Sequence, residues 1–71
     1  MKILGSHINE KRVEKGFSIE KLAELALISS RFLYDIENGK RGMSLPTFIR
    51  IKTALDCSSD WLLDGCENEL L

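Results

Sequence analysis

The residues best equipped for chemistry lie between Ser18 and Arg41. Arg31, Tyr34 and Asp35 stand three and four apart, so on a helix they share an outward face with Ser30. A guanidinium placed there can pair bidentately with O6 and N7 of guanine. The Asp35 carboxylate, one turn on, can accept from cytosine N4 or orient Arg31 through an i, i+4 pair. Ser18, Ser29 and Ser30 offer hydroxyls that can reach phosphate or a base edge. Lys40 and Arg41 are adjacent cations in Asn38-Gly39-Lys40-Arg41-Gly42-Met43. Two glycines let that segment approach a phosphodiester backbone closely. This is recognition by charge and hydrogen bond. Bond-making chemistry has no comparable set: there is no glycine-rich phosphate loop, no metal-ligand cluster and no base beside a nucleophile. His7, the only histidine, has no second ligand close in sequence and reads as a surface residue. Cys57 and Cys66 are nine apart with no CxxC and no histidine nearby, which points to free thiols in a reducing compartment. No enzymatic activity, cofactor, metal or small-molecule ligand is expected.

Two short helices with a tight break must position these side chains. Ser18 is a good N-cap for the first, and Leu22 and Leu25 with Ala23 and Ala26 form its buried stripe. The second opens at Ser29 or Ser30 and turns Leu33 and Ile36 inward. Phe32 is expected half-buried. Gly39 stands where a C′ glycine ends a helix in a left-handed turn. With about three residues between them, the helices must cross steeply, as in a helix-turn-helix.

The flanking segments read as three more helices. Over Leu4 to Lys15, Leu4, Ile8 and Arg12 form one row and Val13 packs near its edge; Gly16 stops the helix and Phe17 enters the core. Arg12 is a charge on an apolar row and needs a partner, for which Glu37 is expected. Ser44 caps the next helix, with Pro46 tolerated in its first turn. Leu45, Phe48, Ile51 and Leu55 form its stripe, widened by Ile49 and Ala54, with Arg50 and Lys52 outward. Asp56 ends it and Cys57 drops into the core. The last helix starts at Ser58 or Ser59 and carries Trp61, Leu62 and Leu63 before Gly65. Successive residues diverge by about 100°, so one short helix cannot bury all three inward. Trp61, Leu62 and Leu63, with Leu70 and Leu71, are therefore the expected contact of a two-fold homodimer. The domain spans 1–65, and 66–71 form a short acidic tail, expected to fray.

Seventy-one residues bound this as one small domain with a mostly aliphatic core. No apolar run is long enough to span a membrane, and no secretory leader is visible. The net charge of −1 hides a division. Residues 1–55 hold ten basic and six acidic side chains, a net +4, whereas residues 56–71 hold five acids and no base. A basic end can face phosphate while the acidic end points away.

Most of the chain resembles the repressor/Cro (XRE-like) family of DNA-binding domains. The matching residues are Ser18, Glu20, Leu22-Ala23-Glu24, Ile28-Ser29, Leu33, Ile36-Glu37-Asn38-Gly39-Lys40, Ser44-Leu45, Ala54-Leu55 and Trp61-Leu62 before Gly65. The resemblance implies an all-α, compact five-helix domain. It implies a cytoplasmic, sequence-specific transcriptional regulator, a repressor, whose third helix (about residues 29–37) enters the major groove of double-stranded DNA. It also implies the Arg12–Glu37 pair, and a dimer on a palindromic operator. Three residues depart from the family pattern. Ile19 replaces a glutamine that would reach phosphate. Asp35 replaces an uncharged polar residue. Leu27 replaces a turn glycine, so the turn is expected to take another conformation or the second helix to run one residue longer. The competing reading is a protein-interaction module of the same fold, antitoxin-like or bridging, with little DNA binding.

Overall fold

Serine hydroxyls open four helices. The Oγ atoms of Ser18, Ser29, Ser44 and Ser58 accept from the amides of Lys21, Phe32, Thr47 and Trp61 at 3.0, 3.0, 3.3 and 3.1 Å. Each satisfies a donor that a helix start otherwise leaves unpaired. The computed structural model describes residues 1–69. Its helices are α1 (Lys2–Glu14), α2 (Ile19–Leu25), α3 (Ser30–Glu37), α4 (Leu45–Leu55) and α5 (Ser59–Leu63), followed by a single 3-10 turn at Glu67–Glu69. The fold is all-α among the described residues.

The helix ends are as regular as the starts. After α1, α2, α3 and α4 the chain enters the left-handed region at Gly16, Leu27, Gly39 and Asp56, with φ of +77, +60, +74 and +50°. At each, two amides fold back on the last turn. After α2 they are Leu27 to Glu24 O at 3.2 Å and Ile28 to Ala23 O at 3.0 Å. After α3 they are Gly39 to Ile36 O at 3.1 Å and Lys40 to Asp35 O at 2.9 Å. This is the paired-bond helix stop. Leu27 therefore does what a glycine would do. The turn keeps its geometry and α2 is not extended, because the two bonds outweigh the roughly 1–2 kcal/mol that a side chain costs there.

Leu4, Ile8, Leu22, Leu33, Ile36, Ile51, Leu55 and Leu62 close the core. α1 packs against α3 and α5, while α2 packs against α3 and α4. α1 and α3 approach so closely that a β-carbon on Gly5 would strike the Ile36 and Glu37 carbonyls. Several expectations need correction. Val13 is largely exposed. Leu45 is 69% exposed and Ile49 also faces out, because the inward row of α4 is Thr47, Phe48, Ile51 and Leu55. Arg50 is not free: its Nε donates to Ala26 O at 2.8 Å. Cys57 is only half-buried, and Cys66 is the cysteine in the core. Burial raises both thiols above their usual pKa, although three lysines oppose it at Cys57.

Residues 66–69 are not a loose end. Cys66 is fully enclosed, and the Glu69 carboxylate accepts from the amides of Ile3 at 2.5 Å and Leu4 at 3.1 Å. It serves as the cap of α1, whose preceding residue, Met1, provides no side-chain cap. His7 is also partly covered, its Nδ1 donating to Leu62 O at 2.9 Å.

Candidate nucleic-acid interface

α3 is held from beneath by a charged lock. Arg12 Nε donates to Glu37 Oε2 at 2.8 Å and Nη2 to Oε1 at 3.2 Å, while Nη1 donates to Phe17 O at 2.8 Å. Asn9 adds a bond to Glu37 Oε1 at 2.8 Å. The Arg12 and Glu37 side chains are 13% and 3% exposed. One carboxylate at the end of α3 is thus fastened to two residues of α1, so the helix cannot roll without leaving buried charge unpaired.

On the exposed side of α3 the structure gathers much of the polar set picked out by type and spacing. Arg31, Tyr34, Lys40 and Arg41 are all exposed. Tyr34 lies between two cations, with the Arg31 guanidinium 5.7 Å and Lys40 Nζ 5.9 Å from its ring centre. Arg41 sits 5.1 Å from the ring of Phe32, which is half-buried. The aromatic faces hold the cations near α3 without neutralising them. Ser18 and Ser29 are exposed, and each accepts its capping bond through oxygen, which leaves the hydroxyl proton free for a phosphate oxygen. Ser30 is half-buried. Asn38 Nδ2 bonds Tyr34 O at 2.8 Å and steadies the exit from α3.

Asp35 departs from its expected place. It is buried rather than outward, under the turn that brings the Lys40 amide onto its carbonyl. Its Oδ1 lies 3.5 Å from Arg31 Nε and makes no hydrogen bond. The Arg31 side chain is 78% exposed, whereas that of Asp35 is 12% exposed. The carboxylate stands behind the guanidinium and offers it a fixed acceptor.

The helix that was to supply a subunit contact is mostly spent inside the molecule. Leu62 has no exposed surface, and Leu63 is partly buried against the core. Trp61 is 36% exposed, with Lys11 Nζ 4.6 Å over its ring and His7 at 5.2 Å between ring centres. Leu70 and Leu71 lie outside the described residues. Sequence reading also missed Arg50 and Glu69. Arg50 ties α4 to the Ala26 carbonyl at the turn, and nothing in its local spacing announces that bond.

Comparison with known proteins follows the same outline. The model of a family described as "Helix-turn-helix domain" matches residues 5–67. The HTH-type transcriptional regulator SinR of Bacillus subtilis (strain 168) is 35% identical over 63 residues, which cover 87% of this chain and 57% of SinR. The crystal structure of the restriction-modification controller protein C.AhdI from Aeromonas hydrophila is similar with a TM-score of 0.79 and 34% identity, covering 83% of this chain and 89% of that one. A chain of the SinR protein/SinI protein complex is similar with a TM-score of 0.82 and 32% identity, covering 96% and 67%.

Proposed function

The chain belongs to the helix-turn-helix domain family, and from that premise we propose that it is a DNA-binding transcriptional regulator, a repressor, that reads the major groove with α3. The observation that carries this reading is the exposed cluster of Arg31, Tyr34, Lys40 and Arg41 on and directly after a helix whose last residue, Glu37, is locked to α1. In it, Arg31 reads guanine, with Asp35 as its positioning residue. Lys40 and Arg41 contact the backbone and set affinity rather than sequence preference. The hydroxyls of Ser18, Ser29 and Ser30, with the first amides of α2 and α3, meet phosphate. Of the acids in residues 56–69, Glu69 caps α1 through the amides of Ile3 and Leu4.

One domain offers about one helical turn of base contact, so the working species is a two-fold homodimer on palindromic half-sites about 34 Å apart. Its compartment is the cytoplasm, and it is not an enzyme. Among the described residues no helix is long and apolar enough to cross a membrane, and no group of three or more metal-ligating side chains assembles. Regulation through a protein partner is supported by one relative, which has been solved as the SinR protein/SinI protein complex.

Binding to labelled duplex DNA at rising salt tests the reading. Log affinity should fall linearly with log salt, with a slope of about −0.9 for each phosphate neutralised. Lys40→Ala should flatten that slope by about one unit and weaken all sequences alike. No binding at low salt would overturn the reading in favour of an interaction module.

A further inference from the structure

On the reading of the chain as a DNA-binding domain, we infer that Lys2 is a third backbone cation, set beside Lys40 and Arg41 by the start of α1, and that its ammonium meets a phosphate of the bound duplex. Two close approaches carry the placement. A β-carbon on Gly39 would lie 3.0 Å from Lys2 Cα and 3.1 Å from its Cγ, so the backbone leaving α3 runs against the Lys2 stem. A β-carbon on Gly42 would lie 3.5 Å from Met1 Sδ and 3.6 Å from its Cε. Lys40 and Arg41 stand between these two glycines in sequence. The loop that carries them therefore lies, on both sides of the cations, against the first two residues of the chain. Lys40 and Arg41 lean toward the rings of Tyr34 and Phe32 on α3, and Lys2 extends their basic surface past the end of that helix.

The state of Lys2 fits contact with an external anion. It is exposed, and among the described residues it forms no ion pair. Glu69 lies at the same helix start, but both of its carboxylate oxygens accept from the amides of Ile3 and Leu4. The charge does nothing for α1 itself. Lys2 is the first helical residue, where the helix dipole disfavours a cation, and the first turn holds no acid to offset it. An exposed and uncompensated ammonium raises the positive potential beside the loop. On its flexible four-carbon stem it meets phosphate as a point charge and carries no base preference. Lys2 thus adds to affinity, as Lys40 and Arg41 do, and leaves sequence preference to α3. Its contact releases one more counterion from the duplex, which makes it visible in the salt dependence of binding.

The test is binding of the 71-residue chain and its variants to labelled duplex DNA of random sequence across a range of salt. Lys2→Gln keeps the stem along Gly39 and removes the charge. It should flatten the slope of log affinity against log salt by about 0.9 and bind roughly threefold to tenfold more weakly at about 0.1 M salt. Lys2→Arg should keep the wild-type slope. Lys52→Gln removes the same charge from the last turn of α4, the turn farthest along that helix from the loop, and should leave the slope unchanged. Thermal melts of Lys2→Gln and the wild type should coincide, because the residue is exposed. Equal slopes for the wild type and Lys2→Gln would overturn the inference. So would a loss in Lys2→Arg as large as in Lys2→Gln, or an equal flattening in Lys52→Gln. A Lys2→Gln chain that melts well below the wild type would trace its loss to folding and overturn it too. A wild type that binds no duplex even at low salt would overturn the DNA reading itself, a result distinct from all of these.

Discussion

Arg12 and Glu37 show how far a single side chain could be read in advance. A long cation on the row Leu4, Ile8, Arg12 demanded a partner, and Glu37, at the end of the second motif helix, was the expected one, the pair that the family resemblance also implies. The bonds to Phe17 O and from Asn9 were not legible, because they depend on the angle at which α1 crosses α3. Removing Arg12 should leave Glu37 buried and uncompensated, so Arg12→Ala should cost about 3–5 kcal/mol in a denaturant melt. A loss under about 0.5 kcal/mol would mean that the pair behaves as a solvated one. Glu69 makes a prediction with a defined pH direction. Desolvation opposes ionisation, but the amides of Ile3 and Leu4 and the chain's amino group outweigh it and hold this carboxyl below its usual range. A lowered folded-state value contributes stability above the unfolded value and loses it as pH falls through the folded one. Glu69→Ala should therefore lower the melting temperature at pH 7, and the gap from the wild type should close below pH 4.5. A gap that persists at pH 2 would assign the effect to packing.

At the scale of elements, helix starts were legible and helix ends only in part. Serine announces an N-cap through its own side chain, so Ser18, Ser29, Ser44 and Ser58 were visible in the sequence. Gly16 and Gly39 announced their left-handed stops in the same way. Leu27 did not, because its side chain contributes nothing to a stop made by two backbone bonds. Leu27 is also 78% exposed, so its side chain returns little packing energy for its strain. Leu27→Gly should stabilise the chain by about 0.5–1 kcal/mol, the relief of left-handed strain less the added entropy of the unfolded glycine. Destabilisation would mean that Leu27 makes contacts worth more than its strain. Gly5→Ala, in contrast, should cost about 1–3 kcal/mol, because α1 and α3 would have to separate to admit a methyl group. The outward row of α4 was misread for a geometric reason. Pattern alone offered Leu45 and Ile49 as core, but α4 meets α2 along one side only, and the side it leaves open carries both residues.

For the whole molecule, the division of charge proved more informative than its sum. The cations beside α3 stand exposed around Tyr34 and Phe32, while the acidic end is drawn to α1 through Glu69. The tail's docking could not be read beforehand, since its carboxylate finds its amides 66 and 65 residues away in sequence. The buried place of Asp35 was equally hidden, because it arises from the return of the chain over α3 at Lys40. Of the two roles its spacing offered, that placement favours the pair with Arg31 over a base contact, and it sharpens the central proposal that one exposed guanidinium on α3 carries much of the sequence preference. The most direct test is selection of bound duplexes from a random pool by the wild type and by Arg31→Ala. The wild type should enrich a two-fold site, whereas Arg31→Ala should bind about 1–3 kcal/mol more weakly and lose its preference at one G·C pair in each half-site. An unenriched wild-type pool, or the same site selected by both proteins, would contradict the assignment of α3 and Arg31 as the reader.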